Sequence, residues 1–316
     1  MSESHSQNFN HLKIHTQYSI CEGAARIDDL QEYSKKNKIK SLGLCDTSNL
    51  CGALEFAEKI AKSGTQPIIG TQINFKIGET IGLLPLFALN EVGYKNIIEL
   101  SSLSYLKNDE LSDPHLDFEL LLNNSDGVAV FSGTVFGLFG KLFDKGKFTE
   151  IDETYSKIKK TFDDRFYIEI QRHNDQNEIG FEKFNLKKSL DLEIPIIATN
   201  EVFYLDKEMH EAHDALICIG NKTYVNEKNR LRLTDQHYLK TNSEMSELFA
   251  DLPEALENNY NFPLRCSYRP LFSNPILPNI SSDKDGNADE ILKKDSIKGL
   301  KIKFNKIFNL SDEDLE

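Results

Sequence analysis

Imidazoles and carboxylates gather at the ends of short apolar runs in the first quarter of this 316-residue chain. Residues 12–15, 41–45 and 67–75 read as buried strands, and His15, Glu22, Asp46, Thr47 and Gln72 stand at or just beyond their ends, with Gly23 and Gly70 as turn residues. In parallel α/β sheets the side chains at such ends share one face, where catalytic sites are built. Neutral imidazoles and carboxylates are also the donors that divalent cations need. A second cluster, His210-Glu211-Ala212-His213-Asp214, places two histidines at i, i+3 on a helix. That spacing suits a metal-binding face, and it suits ordinary helix packing and capping as well. The five cysteines (Cys21, Cys45, Cys51, Cys218, Cys266) form no CxxC pair and are odd in number, so reduced thiols are expected. Cys45 ends an apolar strand and reads as a small buried hydrophobe.

The elements that must position these groups alternate. Asp28 is placed to cap a helix with Leu30 and Tyr33 on one face, and Ala53, Phe56, Ala57, Ile60 and Ala61 make the apolar stripe of a second. Strand, helix, strand, helix, strand within about 65 residues implies parallel pairing and right-handed crossovers. The alternation continues with strands at 82–89, 127–131, 165–170 and 194–199. Helices are expected at 91–106, 117–122, 135–143, 151–162, 178–190 and 209–219, with a polar loop at 107–116. Strands interleaved with helices in this way favour a barrel over an open sheet. Beyond Arg230 the pattern changes: short helices at 243–250 and 253–258, an irregular stretch at 266–278, and a charged linker at 281–287. A Lys-rich amphipathic helix at 288–308 follows, carrying Ile291, Leu292, Ile297, Leu300 and Ile302.

Composition narrows the function classes. With 37 Lys+Arg against 50 Asp+Glu the formal net charge is -13, which offers no general basic surface for a phosphate backbone. The opening MSESHSQNFN is polar and does not read as a signal peptide, and no apolar run approaches the ~20 residues that span a bilayer. A soluble, cytoplasmic protein without a membrane partner is expected.

Ten blocks in one order carry a family resemblance. They are HLKIHTQYS, EGAARI, LCDTSNLCGALEF, QPIIGTQINF, LNEVGYKNIIELSSLSYL, DRFYIEIQRH, IPIIATNEVFYL, EAHDALICIG, RLTDQHYLK and DLPEALEN, spread over residues 8 to 270. They resemble the PHP (polymerase and histidinol phosphatase) domain at the N-terminus of bacterial replicative polymerase III alpha subunits. The resemblance implies a distorted (β/α)7 barrel, related to the TIM barrel, with a C-terminal helical extension leading to a polymerase body. The PHP domain would occupy 8–280, its barrel core about 8–222 and its extension 223–280, with 281–316 a linker and the start of the next region. The chain would then be an excised piece of a polypeptide several times longer. It also implies that the histidines at 210 and 213 lie outside the metal cluster, leaving helix packing as their expected role.

Active members of that family hold a cluster of divalent metals that activates water for attack on a phosphoester. Carried over position by position, His15, Glu22, His173 and Glu201 remain as vestigial ligands. Six positions have lost the ligand type: Lys13, Thr47, Gln72, Leu83, Thr134 and Phe203. A protonated lysine has no lone pair and repels a metal. No catalytic residues and no bound metal are therefore expected in this fragment. Lys13 is expected to pair with Glu22 or Glu201, with Phe203 and Leu83 filling the vacated space. The implied function is a non-catalytic platform of a DNA-directed DNA polymerase in DNA replication. Its partners would be the polymerase body of the same chain and the proofreading exonuclease subunit, with DNA met only through the full holoenzyme. Magnesium would serve the parent polymerase. The alternative is a weakly active PHP phosphoesterase or 3′–5′ proofreading exonuclease, which would need zinc or manganese held by His15, Glu22, His173 and Glu201. A free-standing histidinol-phosphatase-like enzyme fits less well, because the DLPEALEN block and the helix after it match the polymerase context.

Overall fold

Strand residues here are buried on both faces, which is why the strands read as near-continuous apolar runs. The computed structural model describes residues 9–108, 112–275 and 287–308. The first elements are β1 (Lys13–Ile14), α1 (Ile27–Asn37), β2 (Ser41–Thr47), α2 (Ala53–Lys62), β3 (Gln66–Ile77), β4 (Thr80–Ala88) and α3 (Glu91–Leu106). They are followed by β5 (Leu116–Asp117), α4 (Phe118–Asn123), β6 (Val128–Phe131), α5 (Leu138–Asp144), α6 (Phe148–Phe162), β7 (Phe166–Ile170) and α7 (Gln176–Leu192). The remainder comprises β8 (Ile196–Ala198), β9 (Glu201–Val202), α8 (His210–Gly220), α9 (Asn242–Leu248), α10 (Pro253–Asn261) and α11 (Ala288–Phe308).

The main sheet runs β2-β3-β4-β6-β7-β8, with β5 added on β3, and β9 pairs in parallel with β1. The ring closes where Gly43 N–H of β2 donates to His11 O, 2.7 Å away, just ahead of β1. A Cβ at Gly43 would lie 2.3 Å from Leu12 O, so the seam needs glycine. The result is a distorted (β/α)7 barrel in which β1, β2, β3, β4, β6, β7 and the β8–β9 strand hold the seven positions. Among the described residues β4 runs against its neighbours on both sides, while the other ladders are parallel.

Three expectations change on inspection. The 82–89 strand exists, but it folds back antiparallel on β3 through a turn at Gly78 (φ 55°) rather than arriving through a crossover. Gly70 is no turn residue: it lies inside β3, where a Cβ would meet the Phe87 ring at 2.5 Å. Asp28 is not the cap of α1, whose N-cap is Arg26 without a side-chain cap; Asp28 sits in the first turn and favours the helix dipole from there. The expected linker at 281–287, the 280/281 boundary, parts of the 107–116 and 266–278 stretches and the first eight residues fall wholly or in part outside the described residues.

Two apolar layers and one aromatic plug make the core. Outward-facing Leu42, Leu44 and Ile69 pack on Phe56, Ala57 and Ile60 of α2, and Leu86, Val130 and Ile168 pack on the α3–α6 side. Inside the barrel Phe87, Phe131, Tyr167 and Phe262 meet with ring centroids 4.7–5.7 Å apart. Those rings fill the foot of the barrel, and polar side chains occupy the other end. The segment after α8 is tied back onto the chain start: Asn10 exchanges three hydrogen bonds of 2.8–3.0 Å with Asn259. The chain divides into units 1–271 and 272–316. In the second, α11 carries Asp289 and Glu290 in its first turn and Lys306 in its last, matching the helix dipole.

Candidate functional site

Strand alternation turns Lys13, Cys45, Glu169 and Glu201 into the barrel, where Cys45 packs with the aromatic plug and Lys13 meets the two carboxylates. Lys13 and Glu201 are direct partners in the β1–β9 ladder, as are Thr47 and Gln72 between β2 and β3. Lys13 is among the largest fully buried side chains. Its Nζ lies 3.2 Å from Glu201 Oε1 and 3.4 Å from Glu169 Oε1. Burial alone would pull this ammonium down; Glu169 and then Glu201 outweigh burial and hold its pKa above the ordinary lysine value. Burial likewise works against an ionised Glu201, yet Lys13 and the His15 hydrogen bond hold it well below the usual carboxylate range.

His15 completes the cluster. Its Nε2 is 3.1 Å from Glu201 Oε1, its Nδ1 is 3.4 Å from Thr47 Oγ1, and Glu22 Oε2 stands 3.9 Å from Nδ1. Burial lowers the His15 pKa, but the Glu201 hydrogen bond and the Glu22 charge reverse it, leaving it raised. Gln72 Nε2 donates to Glu201 Oε1 and Thr47 Oγ1, both at 3.3 Å. Glu169 Oε1 receives Gln171 Nε2 at 2.9 Å and the Thr199 hydroxyl.

His173, the last of the four candidate ligand positions, does not join His15. It sits behind Glu201, with Nδ1 3.0 Å from Glu178 Oε1 and Nε2 3.2 Å from Asn200 Oδ1. Its ring stacks on His237 at 4.1 Å, and Phe203 lies against both His237 and His15, stacking on the latter at 4.4 Å. Burial, helped by Lys240, takes His173 down to about 3, and burial beside His173 keeps His237 well below its ordinary value. Asp46 turns away from the cluster to accept Thr16 N–H at 2.6 Å and Ser19 Oγ at 2.7 Å, which fixes the loop after β1. Leu83 and Thr134 stand on the wall of a cavity of about 260 Å³, so Leu83 does not fill the space the sequence suggested it would. His210 Nε2 and His213 Nε2 meet the carbonyls of Leu233 (3.0 Å) and Glu22 (2.7 Å), which is packing and not a paired ligand face. Of the five cysteines, all free, Cys45 is buried and its thiol is pushed well up by burial.

Sequence reasoning missed Glu169 and His237. The first had a signal: in FYIEI a carboxylate shares the inward face with Tyr167, so it needed a buried cation. His237 lies in an irregular segment with no periodicity to assign its direction. Among the described residues no three His, Cys, Asp or Glu side chains are grouped to hold a metal ion.

Known proteins place this architecture. The PHP domain family matches residues 11–173, more than half of the chain. The chain belongs to the PHP domain family. DNA polymerase III subunit alpha of Caulobacter vibrioides is 34% identical over 96% of this chain and 27% of its own length. Those of Rickettsia conorii (36%, covering 92% and 25%) and Borreliella burgdorferi (33%, covering 95% and 27%) are similar to it as well. This PHP chain thus spans about a quarter of the length of the curated relatives it matches. A solved structure from Bifidobacterium adolescentis, described as that of a candidate metal-dependent phosphoesterase, covers 61% of this chain and 86% of its own at 12% identity. Its TM-score of 0.33 is too low to bear on function. No helix among the described residues is long and apolar enough to cross a membrane.

Proposed function

We propose that this chain is the N-terminal PHP region of a polymerase III alpha subunit and that the region itself is non-catalytic. The observation that carries the reading is Lys13: its ammonium lies within 3.4 Å of both Glu169 and Glu201, with no solvent exposure, at the base of the site. A cluster of divalent metals needs deprotonated, unoccupied donors. Here Glu201 Oε1 is already engaged by Lys13, His15 and Gln72, and His173 is committed to Glu178 and Asn200. That donor set does not suit such a cluster, so the site is degenerate and the fold is kept as a support. The polymerase body of the same polypeptide and the proofreading exonuclease subunit are its partners, in the cytoplasm. DNA synthesis with magnesium belongs to residues outside this chain, and DNA is met only through the full assembly.

The test pairs a binding assay with a turnover assay. The purified chain should capture purified proofreading exonuclease subunit with a Kd on the order of 1 μM. With manganese or zinc it should release nothing above blank from p-nitrophenyl phosphate or from a 3′-mismatched oligonucleotide. Metal-dependent hydrolysis that disappears in Glu201→Gln would overturn the reading in favour of the weak phosphoesterase.

A further inference from the structure

The 260 Å³ cavity at the open end of the barrel is floored by Gln72, Glu201 and His237. Each of these keeps one acceptor atom that receives no hydrogen bond among the described residues. Gln72 directs its Nε2 toward Thr47, His15 and Glu201, leaving Oε1 without a donor. Glu201 takes its neighbours on Oε1, leaving Oε2. His237 Nδ1 lies 3.2 Å from the Glu201 carbonyl, so Nδ1 carries the proton and Nε2 presents a lone pair. None of the three atoms is sealed from solvent, and all three side chains line the cavity.

The walls are largely apolar, with Leu83, Phe136, Ile217 and Leu231 among them, and Thr134 adds a hydroxyl whose oxygen accepts Phe136 N–H at 3.1 Å. Glu22 stands on the rim with its side chain 29% exposed. Lys141, the lysine that lines the cavity, is turned to the Ile81 carbonyl at 3.0 Å. A phosphate, which brings acceptors and negative charge, would face lone pairs on this floor. A primary ammonium brings three donors and no acceptor.

We infer that this cavity is a binding site for a primary amine borne on a short apolar or aromatic tail, the ammonium on the Gln72–Glu201–His237 floor and the tail against Leu83, Phe136 and Leu231. The volume admits a ring with a two-carbon arm. Recognition of this kind is opposite in sign to recognition of a phosphoester, and it does not depend on any partner protein.

The experiment is titration calorimetry of the whole chain with three probes of one shape: 2-phenylethylamine, 2-phenylethanol and phenyl phosphate. The amine should bind with a Kd on the order of 1 mM, and the alcohol about tenfold more weakly. Phenyl phosphate should not bind. Leu231→Trp, at a position 48% exposed, should fill the cavity and abolish amine binding without shifting the melting temperature. Glu22→Gln should weaken the amine about threefold and leave the alcohol unchanged. Phenyl phosphate binding as well as the amine, amine binding undiminished in Leu231→Trp, or no saturable amine binding would each overturn the inference.

Discussion

Lys13→Met should destabilise the fold by about 3–5 kcal/mol, because it strands two buried carboxylates that share one cation. Glu169 Oε2 already has no hydrogen-bond partner, and Glu201 would be left with His15 as its nearest cationic group. The loss should appear as a lower urea midpoint at pH 7.5 with an unchanged slope. Combining Lys13→Met with Glu169→Gln should recover part of it, since removing a whole buried charge cluster is milder than removing one member. Lys13→His should also lower the melting temperature, and it should restore no phosphatase activity. A stable Lys13→Met variant, or turnover returning in Lys13→His, would contradict the salt-bridged site. The sign of the Lys13 shift fixes its own pH window. With a folded pKa above the unfolded value, its contribution is complete below ~10.4 and fades only as pH rises past that.

Acidification should unfold this chain well above the carboxylate range. His11 is taken down to about 4 by burial, His173 to about 3 by burial and Lys240, and His237 well below its ordinary value by burial and His173. All three are neutral in the native state at pH 5, whereas the unfolded chain protonates them below ~6.5. The unfolded state therefore binds more protons, and stability falls as pH falls through that window. Glu178 works the other way: burial raises it to about 7, so the native state holds its proton between the unfolded value and pH 7. His15, also raised, adds stability below its unfolded value and loses it as pH rises through its folded one. By pH 5.5 His15 is protonated in both states. The three histidines, joined by His213, which burial also lowers, are set against Glu178 and Asp46, which burial raises, leaving about two protons, or on the order of 2–3 kcal/mol per pH unit. Urea midpoints at pH 7.0, 6.0 and 5.0 should drop steeply below 6.5. A flat or rising series would show that these imidazoles are not buried as described.

Where one side chain decided one direction, the sequence was readable. The helices at 91–106 and 288–308 end where their patterns end, and the apolar stripe through Phe56 and Ile60 is the buried face of α2. Asn90 explains the sharp start of α3, since its side chain accepts Gly93 N–H at 2.9 Å. Val135 extends an apolar run yet lies outside α5, which begins at Leu138 after a turn tied by Phe136 N–H to Thr134 Oγ1. Direction was harder than existence. The 82–89 strand was plain, but its reversal rests on Gly78 and a two-residue turn that periodicity cannot see.

The site divided along the same line. Residues in a strand ladder were placed correctly together: Lys13 faces Glu201 because their strands pair in register. Glu22 was offered as an equal partner for Lys13, but it lies on the loop beyond β1 and comes to His15 instead. His173 lies apart from His15, its Nδ1 held 3.0 Å from Oε1 of Glu178 in the first turn of α7. Contacts made by loops and helix starts depend on tertiary placement, and a single sequence does not encode that legibly.

In the proposed function a lysine salt bridge, Lys13 with Glu169 and Glu201, stands where a metal cluster would otherwise be held. Elemental mass spectrometry of the purified chain, incubated with zinc and manganese and then desalted, tests it most directly. Fewer than about 0.2 metal ions per chain is the result expected from donors already committed to Lys13, His15 and Glu178. Two or more tightly held ions per chain would contradict it, because Lys13 would then have to leave Glu169 and Glu201.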